Sequence, residues 1–242
     1  SAALHKGVND YLDYLYIADC YSMTGEFELA LAYCDSAYAV DPKKMRCWYQ
    51  KMKIHTAMEQ YDKALECADI LIKENPSSQR NILEKRSDIK HLKGDLDGAL
   101  ADLEMMHKSS NVTDFDRLKK ASLLYRMGRQ KDAETIVNAL LEKKSFASGS
   151  FSKFAYAILG QKDKMKSSCE EEVKNGFDKG LFNIACAYGL MGEYKEGLVY
   201  LRMAFVKETK DIFSALIDVD MIEYRKLPEF WDLVNEFRPK KK

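Results

Sequence analysis

Charge of neither sign dominates this sequence: 38 lysines and arginines balance 38 aspartates and glutamates. Nucleic-acid binders carry a basic excess or a basic stripe. Neither occurs outside the terminal Arg238-Pro239-Lys240-Lys241-Lys242, which reads as a frayed, solvated tail. No apolar run reaches the ~18 residues a membrane helix needs, so no membrane insertion is expected. No signal peptide is recognisable. The chain opens SAALHKGVND without methionine, and is therefore read as an excised portion of a longer polypeptide.

Paired metal and redox motifs are missing too. The six cysteines, Cys20, Cys34, Cys47, Cys67, Cys169 and Cys186, never fall within four residues of one another. That spacing excludes zinc ribbons and Cys-x-x-Cys redox motifs. A chain of this size does not need disulfides, so small buried thiols and a cytoplasmic setting are expected. His5, His55, His91 and His107 form neither a His-x-x-His nor a His-Glu-x-x-His pair. There is no Gly-x-Ser-x-Gly elbow and no phosphate-cradling glycine loop. No catalytic residue, cofactor or metal ligand is assigned. The triplet Asn111-Val112-Thr113 is a glycosylation sequon of the kind that arises by chance, and Glu170-Glu171-Glu172 reads as a solvated helix face.

What the chain does have is a period. Gly94 and Gly128 are 34 residues apart, Gly128, Gly160 and Gly192 follow at steps of 32, and Pro42 and Pro76 are 34 apart. A step of 34 from Gly25 lands on Glu59, and 35 more reaches Gly94. A fixed period of this size marks a stack of supersecondary units. In each unit an apolar helical stretch leads into the glycine. A second stretch follows with a small residue five positions on: Ala30, Ala64, Ala99 and Ala133, replaced by Met165 in the fifth unit and Gly197 in the sixth. An aromatic two positions after the turn (Phe27, Tyr61 and Tyr194, with Leu96 as substitute) fills the wedge between the helices. Proline after the second helix stops it.

The unit resembles the tetratricopeptide repeat. The first copy carries nearly the full pattern in Tyr14, Ile17, Ala18, Tyr21, Gly25, Phe27, Ala30, Ala37 and Pro42. The second departs at Lys51 and Met52, where the family prefers a leucine and a small residue, and the fifth, KSFASGSFSKFAYAILG, is degenerate. The resemblance implies an all-α, right-handed superhelical solenoid of about six helix-turn-helix repeats, as a single domain over 1–242. The repeats are expected at 11–44, 45–79, 80–113, 114–145, 146–177 and 178–211. A capping segment at 212–238 and a disordered tail at 239–242 follow. Asp218, Asp220, Arg225, Pro228 and Phe230 fit the closing segment of such arrays. Leu216, Ile222, Phe230, Trp231 and Leu233 are expected to cover its open apolar end. The two aspartates are too few oxygen donors for a metal site by themselves. The stretch SFASGS at 145–150 breaks the period, and two readings stay open: a flexible seam, or a shortened helix that packs normally.

The family geometry also implies which positions line a concave surface. They are Leu12, Leu15, Asp19 and Ser22; Arg46, Tyr49, Lys53 and Thr56; Asn81, Glu84, Asp88 and His91; Phe115, Leu118, Ser122 and Tyr125; and Lys179, Phe182 and Cys186. Aromatics and arginine are the usual interface anchors, so Arg46, Tyr49, Lys53, Phe115, Tyr125 and Phe182 are the candidate binding residues, each with partial burial between repeats as its alternative. Arrays that clamp an acidic chaperone C-terminus use asparagines where this chain has Tyr16 and Gln50, so an extended or helical peptide is the expected ligand instead. The leading reading is a non-catalytic protein-interaction scaffold. The alternative is a regulatory or sensor module of a larger enzyme or signalling protein. Self-association through an end of the stack is a third.

Overall fold

The structure, a computed structural model, describes residues 10–74, 79–109, 112–207 and 211–238. Pro76, Asn111 and the expected tail at 239–242 lie outside them. The chain divides into two compact units, one running to Asp95 and the other spanning Leu96–Phe237. Among the described residues there is no strand, and no helix is long and apolar enough to cross a membrane.

The first unit holds α1 (Tyr11–Thr24), α2 (Phe27–Val40), α3 (Arg46–Ala57), α4 (Tyr61–Glu74) and α5 (Gln79–Lys93). The second holds α6 (Leu96–Ser109), α7 (Asp114–Arg126), α8 (Gln130–Leu141), α9 (Lys144–Ala147), α10 (Ser152–Ile158), α11 (Lys162–Lys174), α12 (Leu181–Leu190), α13 (Tyr194–Val206), α14 (Ile212–Ile217) and α15 (Pro228–Phe237). The helices pack as hairpins: α1 with α2, α3 with α4, α7 with α8, α10 with α11 and α12 with α13. The residues chosen for their small size do what the register predicts. Ala30, Ala64, Ala99 and Ala133 are fully buried, and so is Met165 in their place.

Each hairpin turns through a left-handed residue. Gly25 has φ 79°, its amide donates to the Ser22 carbonyl, and the amide of Glu26 reaches back to the Tyr21 carbonyl. This satisfies carbonyls the helix end would otherwise orphan. The second hairpin makes the same bonds without glycine: Glu59 takes φ 58°, its amide bonds the Thr56 carbonyl, and Gln60 bonds the carbonyl of His55. An L side chain in that region crowds its own carbonyl, and glycine avoids the penalty.

Successive hairpins are joined by an ion pair that recurs in register. Asp35 on α2 meets Lys51 on α3 at 2.5 Å, Asp69 on α4 meets Arg86 on α5 at 2.6 Å, and Glu104 on α6 meets Lys120 on α7 at 2.9 Å. Lys51 also lies 4.6 Å from the Trp48 ring centroid, which accounts for a lysine where the family prefers leucine. The acidic partners are exposed, so each pair contributes at most about 1 kcal/mol, and the repetition sets register more than stability.

The fifth repeat is where the pattern thins. Its first helix is interrupted: α9 ends at Ala147 and α10 starts at Ser152, with Gly149 between. Phe146, Phe154, Ala155, Ala157 and Ile158 are nevertheless buried. Lys153 is fully buried among them, its ammonium 2.5 Å from the Glu172 carboxylate and donating to the Ser150 carbonyl. Glu172 belongs to the run expected to face solvent, yet it is 8% exposed. The buried lysine requires a carboxylate partner, because an uncompensated charge there would cost several kcal/mol.

The C-terminal segment closes the second unit by inserting one ring. Tyr224 is fully buried and its hydroxyl donates to the Ala185 carbonyl at 2.7 Å. A Cβ on Gly197 would stand 1.6 Å from that hydroxyl oxygen, and one on Gly189 would stand 2.5 Å from the ring. Gly197 therefore replaces the usual alanine because Tyr224 occupies the alanine's space. Phe230 and Leu233 are buried, Leu216 is 7% exposed, and Ile222 and Trp231 are half-buried. The Trp231 indole donates to the Arg225 carbonyl, and the Arg225 guanidinium to the Leu216 carbonyl.

Two outcomes follow for stability. Glu59→Gly should raise the urea midpoint, corresponding to about 0.5–1 kcal/mol, since it relieves the left-handed strain without removing a backbone bond. Gly197→Ala should lower stability by about 1–3 kcal/mol, although alanine is the better helix former by about 1 kcal/mol. In a Tyr224→Phe background, which lacks the clashing oxygen, the same substitution should cost measurably less.

Candidate functional site

The six candidate residues fall three in each unit. In the first, Arg46, Tyr49 and Lys53 recur at helical spacing on one face of α3. Arg46 is exposed; Tyr49 and Lys53 are half-buried. Tyr49 packs against the cluster of Met52, Ala64, Cys67, Ala68, Leu71, Ile82 and Ile89. The Lys53 ammonium lies 3.5 Å from the Gln50 side-chain oxygen. Gln50 itself is 6% exposed, and its amide nitrogen lies 3.4 Å from the Ser22 hydroxyl on α1.

The start of α3 is fixed from a distance. Met45 makes no side-chain cap. Instead the buried Tyr11 hydroxyl accepts the Cys47 amide at 3.0 Å and donates to the Lys44 carbonyl at 3.1 Å. A phenol from α1 thus satisfies an amide that a helix N-terminus leaves orphaned. Burial pushes the Tyr11 pKa up from 10.0 to about 12.

In the second unit, α7 starts with a capping box: Thr113 accepts the Asp116 amide, and the Asp116 carboxylate accepts the Thr113 amide at 2.7 Å. The threonine of the sequon is therefore committed to the helix start. Phe115, 45% exposed, lies 5.2 Å from the Phe151 ring. Tyr125 is half-buried on the same side of α7. Phe182 differs. It is 3% exposed on α12, whose residues are buried nearly all round. A helix that is apolar on every side has no outward face to offer, so Phe182 contributes core rather than surface.

Two further features lie in the second unit, and no candidate residue lines either. One is an open cavity of about 420 Å³ beside the interrupted helix, with Ser148, Ser152, Tyr156, Ser168, Glu171 and Phe177 in its wall. The other brings Cys186 together with Asp218 and Asp220, each offering a ligand atom within 4.8 Å of the others. The carboxylates there already have partners: Asp218 accepts the Asp220 amide at 2.9 Å, and Asp220 takes the Arg126 guanidinium at 2.6 Å. Sequence spacing showed only the two aspartates; Cys186 arrives from another helix.

The thiols are arranged for packing. Five of the six are buried, with Cys20 the exposed one. Burial holds Cys34 and Cys169 up to about 12 and Cys67 up to about 11, far from the thiolate form that attacks or binds metal.

No protein-family model and no curated protein matches the sequence. Solved structures do. A tetratricopeptide repeat protein from Parabacteroides merdae is 13% identical, with 95% of this chain and 99% of that one covered and a TM-score of 0.50. MamA is 16% identical over 82% of this chain and 91% of its own, with a TM-score of 0.45. YrrB, described as a tetratricopeptide repeat protein with an unusual peptide-binding site, is 15% identical over 93% and 97%, with a TM-score of 0.45. At such identities the likeness is one of fold: this chain has the tetratricopeptide-repeat fold.

Tyr11→Phe keeps the ring and removes the distant cap of α3, and should lower stability by about 1–2 kcal/mol in urea titrations. The sign of the pH effect follows from the raised pKa. The neutral phenol is the folded form, so its contribution is intact below pH 10 and is lost as the pH rises towards about 12. Tyr11→Phe should flatten that part of the stability profile.

Proposed function

We propose that this chain is a non-catalytic protein-interaction scaffold that holds a peptide or protein segment against its first-helix faces. The observation that carries this reading is that each compact unit by itself presents a first-helix face with exposed or half-buried anchors, α3 in the first and α7 in the second. Arg46, Tyr49 and Lys53 on α3 and Phe115 and Tyr125 on α7 all fall on positions that the resemblance implies for the concave side, Arg46 and Phe115 at the same repeat position, and all five are exposed or half-buried. Large flat side chains with a cation beside them are the groups that anchor interfaces at low entropic cost. An extended or helical peptide meets such a face with side chains spaced at one repeat or one turn. Phe182 enters this reading as core support. The proposed ligand is a protein; neither nucleic acid nor membrane insertion has a part in it, and the buried thiols fit a cytoplasmic setting.

The test is affinity capture from source-cell extract with the wild-type chain and two variants. One carries Arg46→Ala, Tyr49→Ala and Lys53→Ala; the other carries Phe115→Ala and Tyr125→Ala. Both are first checked for native helical circular dichroism. The expected result is a protein retained by the wild type and reduced at least tenfold by at least one of the folded variants, which assigns its contact to that unit's face. Equal retention by all three would remove the binding role from these faces.

A further inference from the structure

The fifth repeat lacks two rings that the first repeat stacks. In the first, Tyr14, Tyr21 and Tyr33 stand eleven residues before, four before and eight after the turn glycine Gly25. The Tyr21 and Tyr33 centroids are 5.4 Å apart with the rings at 17°, and Tyr14 lies 6.2 Å from Tyr33. The sixth repeat keeps the stacked pair at the same two positions: Tyr188 and Tyr200 are 5.4 Å apart at 21°. Counted from Gly160, the fifth repeat has Gly149, Tyr156 and Ser168 in these three places. One ring of the three remains, and all three residues line the open cavity of about 420 Å³. The chain cannot readily return a ring from Gly149. A Cβ there would stand 3.1 Å from the Ser145 carbonyl oxygen and 3.3 Å from that of Phe146.

We propose that this cavity binds a small planar aromatic amine, whose ring takes the missing tyrosine's place against Tyr156 and whose ammonium faces Asp163 and Glu171. The rest of the wall sets that chemistry. Phe177, 62% exposed, adds a second aromatic. Asp163 and Glu171 are exposed carboxylates of α11 in the same wall, and neither forms an ion pair among the described residues. Glu172 is already neutralised by Lys153. Lys164, also in the wall, holds its ammonium 5.8 Å from the Tyr156 ring centroid, a cation–π contact that shows this ring within reach of an amine. Stacked rings gain more than their buried area alone provides, and the volume is that of a small-molecule site. A ring bearing a carboxylate or phosphate would meet like charge from the two free carboxylates. The three register positions carry packing residues in the other repeats and none belongs to the concave set, so the proposal stands without the α3 and α7 reading.

The probe is tyramine, a phenol ring carrying an ethylammonium, titrated calorimetrically into the whole chain at low salt. Cyclohexylethylamine keeps the charge and loses the aromatic ring; hydroxyphenylacetate keeps the ring and reverses the charge. Tyramine should bind with a Kd of about 1 mM or tighter. The saturated amine should bind at least about threefold more weakly, and the anion at least about tenfold more weakly. Ser168→Tyr, which restores the ring of the first and sixth repeats, should abolish binding and raise the melting temperature. Ser168→Ala, which leaves the space open, should keep the affinity within about threefold. Tyr156→Leu should weaken binding at least about tenfold, while Tyr49→Ala on α3 should leave it unchanged. No binding of tyramine to the wild-type chain, equal binding of the three probes, loss on Tyr49→Ala in place of Tyr156→Leu, or a Ser168→Tyr chain that still binds or melts below the wild type would each overturn the proposal.

Discussion

Each unit depends on how closely the two helices of a hairpin can approach. Ala30, Ala64, Ala99 and Ala133 sit at that contact with no exposed surface. A methyl group there lets the helix axes come near the short end of the usual packing distance, and the larger residues around it then interlock. The exceptions support the rule. Gly197 is smaller than the site requires, and Tyr224 fills the space from the closing segment. Met165 is larger, and the helix opposite it, α10, is only Ser152–Ile158. The irregular fifth repeat thus coincides with the one bulky residue at the contact, and a buried lysine–carboxylate pair supplies cohesion beside it.

The fold was largely legible because its determinants are local and repeated. Glycine turns, small contact residues and wedge aromatics recur at a fixed interval, so agreement between copies reinforces each single assignment. The second hairpin shows that the interval carries more information than the residue: Glu59, a step of 34 from Gly25, adopts glycine's left-handed conformation because the surrounding bonds demand it. The interrupted helix near Gly149 was legible as a break in the period, and the buried residues on both sides show that the break is packed over.

The candidate site was less legible, because exposure depends on neighbours that are distant in sequence. Phe182 holds the place of Leu118 in the fourth repeat, and both are buried, at 3% and 4% exposure, whereas Phe115 at a different position of the repeat is open. In α12 the burial extends further, since Leu181, Ile184, Ala185 and Leu190 make every side apolar. Tyr16 was visible only as a mismatch to an asparagine clamp; that it is exposed needed the structure. Glu172 looked like surface charge; only the fold brings it 2.5 Å from Lys153 and out of water. The Cys186, Asp218 and Asp220 grouping likewise required three-dimensional placement.

Within the first unit, opposite charges are kept on neighbouring elements rather than mixed. The acidic hairpin α1–α2 and the basic stretch through α3 meet at Tyr11, whose ring comes from the acidic helix and whose hydroxyl caps the basic one. The Lys44 ammonium lies 5.0 Å from the same ring centroid. Asp35 and Lys51 add a second link across that boundary. Attraction between the two halves favours their packing, while Asp13 of α1 stays exposed and Asp19 half-buried. A protein with no net charge therefore keeps an acidic first hairpin beside a basic stretch through α3. Net charge governs solubility and long-range steering; at contact range the local arrangement decides, because solvent screening at physiological salt limits each field to about 8 Å.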